Sequence, residues 1–316
     1  MVSPLPPAAV GVRVRAPAKV NLALKVGPVR PDGYHPLATV YQAVALYDEV
    51  SAEWSDPGRF EVTVTGEGAD LVPTDHTNLA VRAAQLLAER YGLEQLGRED
   101  QLGVRLAITK NIPVAGGLAG GSADAAAALL ACATLWDLDV PLEHLVELGS
   151  ELGSDVPFAL LGGTAVGSGR GEVVAPALAR GAYDWVLAFG HHGLSTPAVY
   201  RRFDAMDPEP GRTPFEIPPD LMNALRGGNP RDVGAALVND LQWPALHLQP
   251  RLRQVLAAGR ELGAVGAVVS GSGPTCAFLA VDESAAIDLS VGLTAEGVCR
   301  TVRRAAAPAH GARVIG

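Results

Sequence analysis

The stretch "PVAGGLAGGSADAAAALL", from Pro113 to Leu130, decides how this chain reads. Four glycines fall within six residues, and a run of alanine and leucine follows. Glycine lets backbone N–H groups come close to a ligand and curve around it, which makes a concave nest for an anion. A helix starting immediately afterwards adds free N–H donors and the positive end of its dipole. Phosphate is the natural guest of such a mouth. The loop is not a Walker loop, since no Gly-Lys-Ser/Thr follows, and Ala115 stands where the first glycine of G-x-G-x-x-G belongs. The competing reading is a tight turn with close helix packing. Coming directly after "TKNIP", the full run favours phosphate.

Working outward, 316 residues suffice for two domains, and 48% hydrophobic against 19% charged residues describes a globular chain with a sizeable core. The formal charge of −9 argues against a general nucleic-acid binder or an anionic-membrane binder, while leaving room for a locally positive pocket. Cys132, Cys276 and Cys299 are odd in number and show no metal-ligand spacing, so buried reduced thiols are expected. The N-terminus lacks a basic region and a long apolar run, and the most apolar helix, near Ala125 to Trp136, is too short to span a bilayer. The expectation is a cytoplasmic protein, a monomer or weak homodimer, with no nucleic-acid or membrane partner.

Period-two alternation in "VRVRAPAKVNLALKVG" suggests two short strands broken at Pro17. "RPDGYHPL" supplies a turn, and "ATVYQAVALYDEV" and "FEVTVTG" read as strands. "NLAVRAAQLLAERYG" reads as a helix capped by Asn78, with Gly92 just past its end. Alternation from Leu102 to Ile108 delivers the chain to the glycine loop and its helix, and Pro141 opens a further helix. "GGTAVGSGRGEVV" reads as a hairpin. A second half begins with the buried strand "WVLAFG" and continues with helices near 197–205, 219–226, 230–239 and 250–262. A strand, a glycine turn and a strand follow in "GAVGAVVSGSGPTCAFLA", then a helix near 283–293 and the strand "GVCRTVRRA". The expected division is a disordered tail over 1–10, an N-terminal lobe over 11–175 and a C-terminal lobe over 176–316.

Three motifs in order carry a family resemblance across essentially the whole chain. "PVAGGLAGGSADAA" resembles the phosphate motif of the GHMP kinases, which bind ATP without a Walker loop. "PAKVNLALKV" and "GAVVSGSGPTCAF" resemble that family's first and third motifs. "RPDGYHPLATVYQAV" and "GSDVPFAL" point within it to enzymes that phosphorylate a CDP-linked alcohol on its 2-hydroxyl. The resemblance implies two α+β lobes, an N-terminal one like ribosomal protein S5 domain 2 and a C-terminal ferredoxin-like one. It implies ATP on the loop formed by Pro113, Val114, Ala115, Gly116, Gly117, Leu118, Ala119, Gly120, Gly121, Ser122 and Ala123. Ala115 and Ala119 replace commoner glycines, Ala123 replaces a second serine, and Asp124 replaces the usual asparagine. Asp124 reads either as a cap or as an indirect magnesium contact.

Phosphoryl transfer needs alignment, charge neutralisation and an oriented nucleophile. Lys19 is out of pattern on an apolar strand, and Asp155 is an isolated charge before "VPFALL". Alone, each reads as an edge charge or a cap. The resemblance maps them onto a catalytic pair, Asp155 as base and Lys19 as charge stabiliser. It likewise implies Asn21 on the substrate wall, Tyr34 and His35 at the cytosine, and Tyr200 on the base's other face. Gly271, Ser272 and Gly273 are expected to close over the substrate's phosphates or to support the ATP loop, with a plain hairpin as the competing view. His191 and His192 carry no third ligand in view. Mg²⁺ is expected to arrive with ATP, held by phosphate oxygens and water rather than by a dedicated protein site. The rivals are a kinase for another alcohol such as homoserine or mevalonate, a silent ligand sensor, and an RNA-binding module that the charge disfavours.

Overall fold

The computed structural model describes residues 11–92, 102–206 and 215–315; the tail expected over 1–10 lies outside the described residues. The first half of the chain runs β1 (Val12–Val26), β2 (Leu37–Trp54), β3 (Phe60–Gly66), α1 (Leu79–Leu87), β4 (Val104–Lys110) and α2 (Gly120–Leu135). It continues with α3 (Leu142–Leu152), α4 (Val156–Leu161) and the hairpin β5 (Thr164–Ser168) and β6 (Val173–Pro176). β1 and β2 pair antiparallel along nearly their full length, β4 adds antiparallel to β2, and β3 lies parallel to β4. Residues of β4 alternate buried and exposed, so one face of the sheet packs and the other meets solvent. Onto the packed face goes α2, whose alanines let it approach β1, β2 and α1 closely; Ala125 to Leu129 are all fully buried. Asn78 caps α1, its side chain accepting from the Ala80 N–H at 2.8 Å.

The break expected at Pro17 is absent: β1 is one strand of 15 residues. Register shifts between Pro17 and Ala18 and between Asn21 and Ala23 absorb the disturbance instead. A proline cannot donate to the ladder, and a bulge beside it removes the need. Lys19 lies between the two shifts.

The second half supplies β7 (Tyr183–Phe189), α5 (Thr196–Ala205), α6 (Pro219–Gly227), α7 (Pro230–Ala235), β8 (Val238–Asn239), α8 (Gln242–Leu248) and α9 (Arg251–Glu261). After these come β9 (Gly266–Val269), β10 (Cys276–Ala280), α10 (Glu283–Glu296), β11 (Thr301–Ala307) and β12 (Arg313–Val314). A four-stranded antiparallel sheet has the order β11-β7-β10-β9. The helix expected over 230–239 is shorter, because residues 238–239 pair with β1 in the first sheet, along the same edge, away from β2, on which β12 pairs with the start of β1. The short helices α4 and α8 are not foreshadowed by periodicity. The two sheets are tied by a buried hydrogen bond, Trp185 Nε1 donating to Gln42 Oε1 at 2.8 Å. The whole is a two-lobed α+β arrangement, as the motifs implied. Cys132 and Cys276 are buried free thiols that burial pushes well above their ordinary pKa, and Cys299 is half-buried. Among the described residues no helix is long and apolar enough to cross a membrane.

Candidate active site

A cavity of about 910 Å³ takes its walls from both halves of the chain. Its floor is the glycine loop. Gly117 has φ 77°, and Ala115 and Ala119 adopt φ 53° and 61°, the left-handed backbone that favours glycine. Ala119 caps α2 without a side-chain bond, so the first N–H groups of the helix keep their donors for an anion. Gly120, Gly121 and Ser122 open that helix on the cavity wall, below Pro113, Val114, Ala115, Gly116, Gly117 and Ala119. Leu118 and Ala123, also expected at ATP, stand behind the wall in the core. The Leu118 carbonyl accepts from the Lys19 N–H at 3.2 Å, coupling the loop to β1.

The third motif props the loop from beneath. Ser270 Oγ donates to the Gly117 carbonyl at 3.1 Å, and the Thr275 N–H donates to that of Gly116 at 3.2 Å. The fit at Gly117 excludes any side chain, since a Cβ there would lie 2.2 Å from the Ser270 carbonyl oxygen. Gly271 and Ser272 reach the cavity, whereas Gly273 stands back from it and donates its N–H to the Ser270 carbonyl at 2.8 Å. Ser272 Oγ also shares a 2.8 Å hydrogen bond with Thr196 Oγ1 at the start of α5. Asn239, invisible to sequence reasoning, holds this turn with Nδ2 bonds of 2.7 Å to the carbonyls of both Val269 and Gly271.

Lys19 and Asp155 face the same cavity. Asp155 occupies the N-cap position of α4, yet its carboxylate caps nothing. Burial lowers the Lys19 pKa, and the Asp155 charge beside it restores part of the loss. Lys19 Nζ donates to Asn21 Oδ1 at 2.6 Å, Asn21 Nδ2 to Thr39 Oγ1 at 2.8 Å, and Thr39 Oγ1 to the Ala23 carbonyl at 2.7 Å. That chain orients the ammonium. Tyr41 stands over the pair, with the Lys19 ammonium 5.9 Å from its ring centroid; burial and then Asp155 raise its pKa well above normal.

On the opposite wall, His35 is buried with Nδ1 2.8 Å from the Gly27 carbonyl and Nε2 3.2 Å from Asp204 Oδ1. Its ring lies 5.3 Å from that of Tyr200, tilted 32°, and meets Phe203 edge-on at 5.9 Å. Tyr34 is exposed at the rim. The structure thus brings His35 and Tyr200 together, with Tyr34 lining the same cavity.

The sequence did not suggest a buried cluster under the start of α2. Lys110 Nζ donates to Asp124 Oδ2 at 2.6 Å and to Asp48 Oδ2, while Asp48 Oδ1 accepts the N–H groups of Asn111 and Ile112. Asp124 therefore pairs with a lysine rather than capping its helix. Burial pushes its pKa up to about 7 against the attraction of Lys110, and the negative charge of Asp48 adds to the rise. For Lys110 burial acts downward, but the two carboxylates outweigh it and raise its pKa. His191 and His192 are exposed in a bend. Among the described residues no group of three or more His, Cys, Asp or Glu could hold a metal ion.

Comparisons with known proteins agree with this fold. Residues 78–163 match the GHMP kinases N terminal domain, and residues 221–299 match the GHMP kinases C terminal domain. A 4-diphosphocytidyl-2-C-methyl-D-erythritol kinase of Mycolicibacterium smegmatis is 52% identical over 96% of this chain and 92% of its own length. One from Cutibacterium acnes is 51% identical over 96% and 97%. A crystal structure of 4-(cytidine 5'-diphospho)-2C-methyl-D-erythritol kinase superposes with a TM-score of 0.72 at 35% identity, covering 93% of this chain and 98% of that one. On its motifs, its two lobes and these relatives, the chain belongs to the GHMP kinase family.

Proposed function

We propose that the chain transfers the γ-phosphoryl group of ATP to the 2-hydroxyl of 4-diphosphocytidyl-2-C-methyl-D-erythritol, a step in non-mevalonate isoprenoid precursor synthesis. The observation that carries this is one cavity lined by the glycine nest, the Lys19–Asp155 pair and the His35–Tyr200 rings. The relatives named for this reaction support the choice of acceptor.

In this reading the nest and the start of α2 hold the ATP phosphates by N–H donation. Asp155 accepts the proton of the acceptor hydroxyl as it attacks, and Lys19 offsets the negative charge gathering beside it. Tyr34, His35 and Tyr200 take the cytosine, with ring faces for stacking and His35, partly through its backbone, for its polar edge. The Ser122 hydroxyl on the cavity wall suits a hard cation, so the site fits Mg²⁺ carried mainly by phosphate oxygens and water. Bound there, Mg²⁺ would neutralise phosphate charge.

The test is ADP release from ATP and Mg²⁺, with the CDP-linked methylerythritol, mevalonate and homoserine offered separately. Turnover with the cytidine compound alone is the expected result. Turnover with another alcohol overturns the cytosine pocket and keeps the phosphate loop. ATP binding without any turnover points to a sensor.

A further inference from the structure

The antiparallel ladder between β2 and β4 ends at the pair Glu49 and Thr109. One residue further along β2, the Asp48 side chain takes over from the strand backbone. Its Oδ1 accepts the N–H groups of Asn111 at 2.6 Å and Ile112 at 2.8 Å, and its Oδ2 accepts Lys110 Nζ. Asn111 Nδ2 adds a 2.9 Å bond to the Tyr47 carbonyl. These bonds turn the chain off the sheet and into the glycine loop. Asp48 is fully buried and stands behind the cavity wall, out of reach of a ligand. Lys110 carries the connection to the other end of the loop. Its ammonium donates to Asp124 Oδ2 at 2.6 Å, at the start of the second turn of α2. It passes close under Gly120, the first residue of that helix, where a Cβ would lie 3.2 Å from Nζ and 3.1 Å from Ile112 Cγ2. The entry and the exit of the loop therefore meet on one ammonium.

We propose that Asp48 is a positioning residue for the nucleotide: through Lys110 and Asp124 it sets the span between the two ends of the glycine loop, and so aims the N–H donors of the nest and of α2 at the phosphates. The inference rests on the loop being the ATP site. Backbone N–H groups hold phosphate as a convergent set, so a span that spreads them weakens the grip of all of them together. Ala115 and Ala119 keep a left-handed backbone, which persists only where the surroundings enforce it. The Ser270–Thr275 turn holds the middle of the loop, at Gly116 and Gly117, and the Asp48 cluster holds its ends. The two carboxylates are anchored unequally. Asp48 is fixed by both of its oxygens, whereas Asp124 Oδ1 has no hydrogen-bond partner among the described residues. The mouth of α2 thus takes its place from Lys110, and Lys110 takes its own from Asp48. A buried ion cluster adds little stability over apolar packing of the same volume; what it supplies is a fixed geometry.

The experiment is calorimetric titration of AMP and of ADP, each with Mg²⁺, into wild type, Asp48→Asn, Asp124→Asn and the double variant. ADP offers the nest one more phosphate than AMP, so the ratio of the two affinities reads the nest and not the base. Wild type is expected to prefer ADP about tenfold, the scale of a charge-assisted bond. Asp48→Asn keeps the volume and removes the charge that holds Lys110, and should cut that preference to about twofold. Asp124→Asn should act in the same direction by less, and the double variant should be no worse than Asp48→Asn, because both act through one lysine. In turnover, Asp48→Asn should raise the ATP KM about tenfold and leave the acceptor KM, measured at saturating ATP, in place. Gln42→Leu, a buried change in the seam between the sheets, controls for lost stability and should keep the full preference. An ADP preference unchanged in Asp48→Asn overturns the inference and leaves the phosphate loop standing. Additive losses in the double variant overturn the role given to Lys110. A wild type that binds AMP and ADP alike removes the phosphate loop and the inference with it. Loss of the preference on substitution, in a wild type that never phosphorylates the CDP-linked alcohol, upholds the inference and strikes the proposed reaction instead. If Asp48→Asn does not fold, Asp124→Asn decides, and an unchanged ADP preference there overturns the inference.

Discussion

Asp155 sits at the mouth of a helix and does not cap it, which frees its carboxylate for the cavity. Replacing it with asparagine keeps the volume and removes the proposed proton acceptor. Asp155→Asn is expected to lower kcat about a hundredfold or more in a protein with an unchanged melt. Lys19 gives a second handle. With its pKa lowered by burial, it sheds its proton below the 10.5 of an ordinary lysine, so the alkaline limb of the kcat profile should begin below that pH. Asp124 titrates in the other direction. Its folded pKa of about 7 exceeds the ordinary 3.8, so the folded state holds a proton that the unfolded chain has released. Its stabilising contribution is complete below about pH 4 and is lost as the pH climbs through about 7. Urea denaturation at stepped pH should show wild type losing stability relative to Asp124→Asn across that window and not above it. Lys19 and Asp155 were legible as residues out of pattern, although only a family resemblance gave them roles. The Lys110 cluster was not legible: Asp48 and Lys110 are 62 positions apart, and only the meeting of β2 with β4 and α2 makes them neighbours.

At the scale of elements, the glycine loop carries alanine at two positions whose backbone is left-handed. Each should cost about 1 kcal/mol relative to glycine. Ala115→Gly and Ala119→Gly are therefore expected to raise the urea midpoint, each by about that stability. Gly117→Ala should do the reverse and weaken ATP binding, because the new Cβ meets the Ser270 carbonyl. The loop, its helix and most strands were readable because their signals are local: glycine clusters, an alanine run, alternation. What stayed hidden has a physical reason in each case. α4 is six residues long, too short to show a period, and α8 contains Pro244, which masks one. Pro17 looked like a break because a lone sequence cannot show that the partner strand bulges opposite it.

For the molecule as a whole, Gln42 fastens one sheet to the other. It is fully buried, receiving the Trp185 indole N–H and donating to Thr164 at 3.1 Å. Gln42→Leu leaves the indole N–H unpaired in the buried seam and should cost about 1–3 kcal/mol by urea denaturation, with the cavity residues untouched. No periodicity announces such a strut; it needs both lobes in place. The Ser270–Thr275 turn spans the same seam in another way. It grips the glycine loop at Gly116 and Gly117, and through Ser272 it grips α5, the helix that carries Tyr200. The loop proposed for the nucleotide and the helix proposed for the acceptor thus share one turn. Whatever factor a filled loop applies to acceptor affinity, a bound acceptor must return to nucleotide affinity in equal measure. On the proposed reaction, any coupling carried by this turn would bind the two half-sites into one thermodynamic unit, each ligand's dissociation constant depending on the other's occupancy.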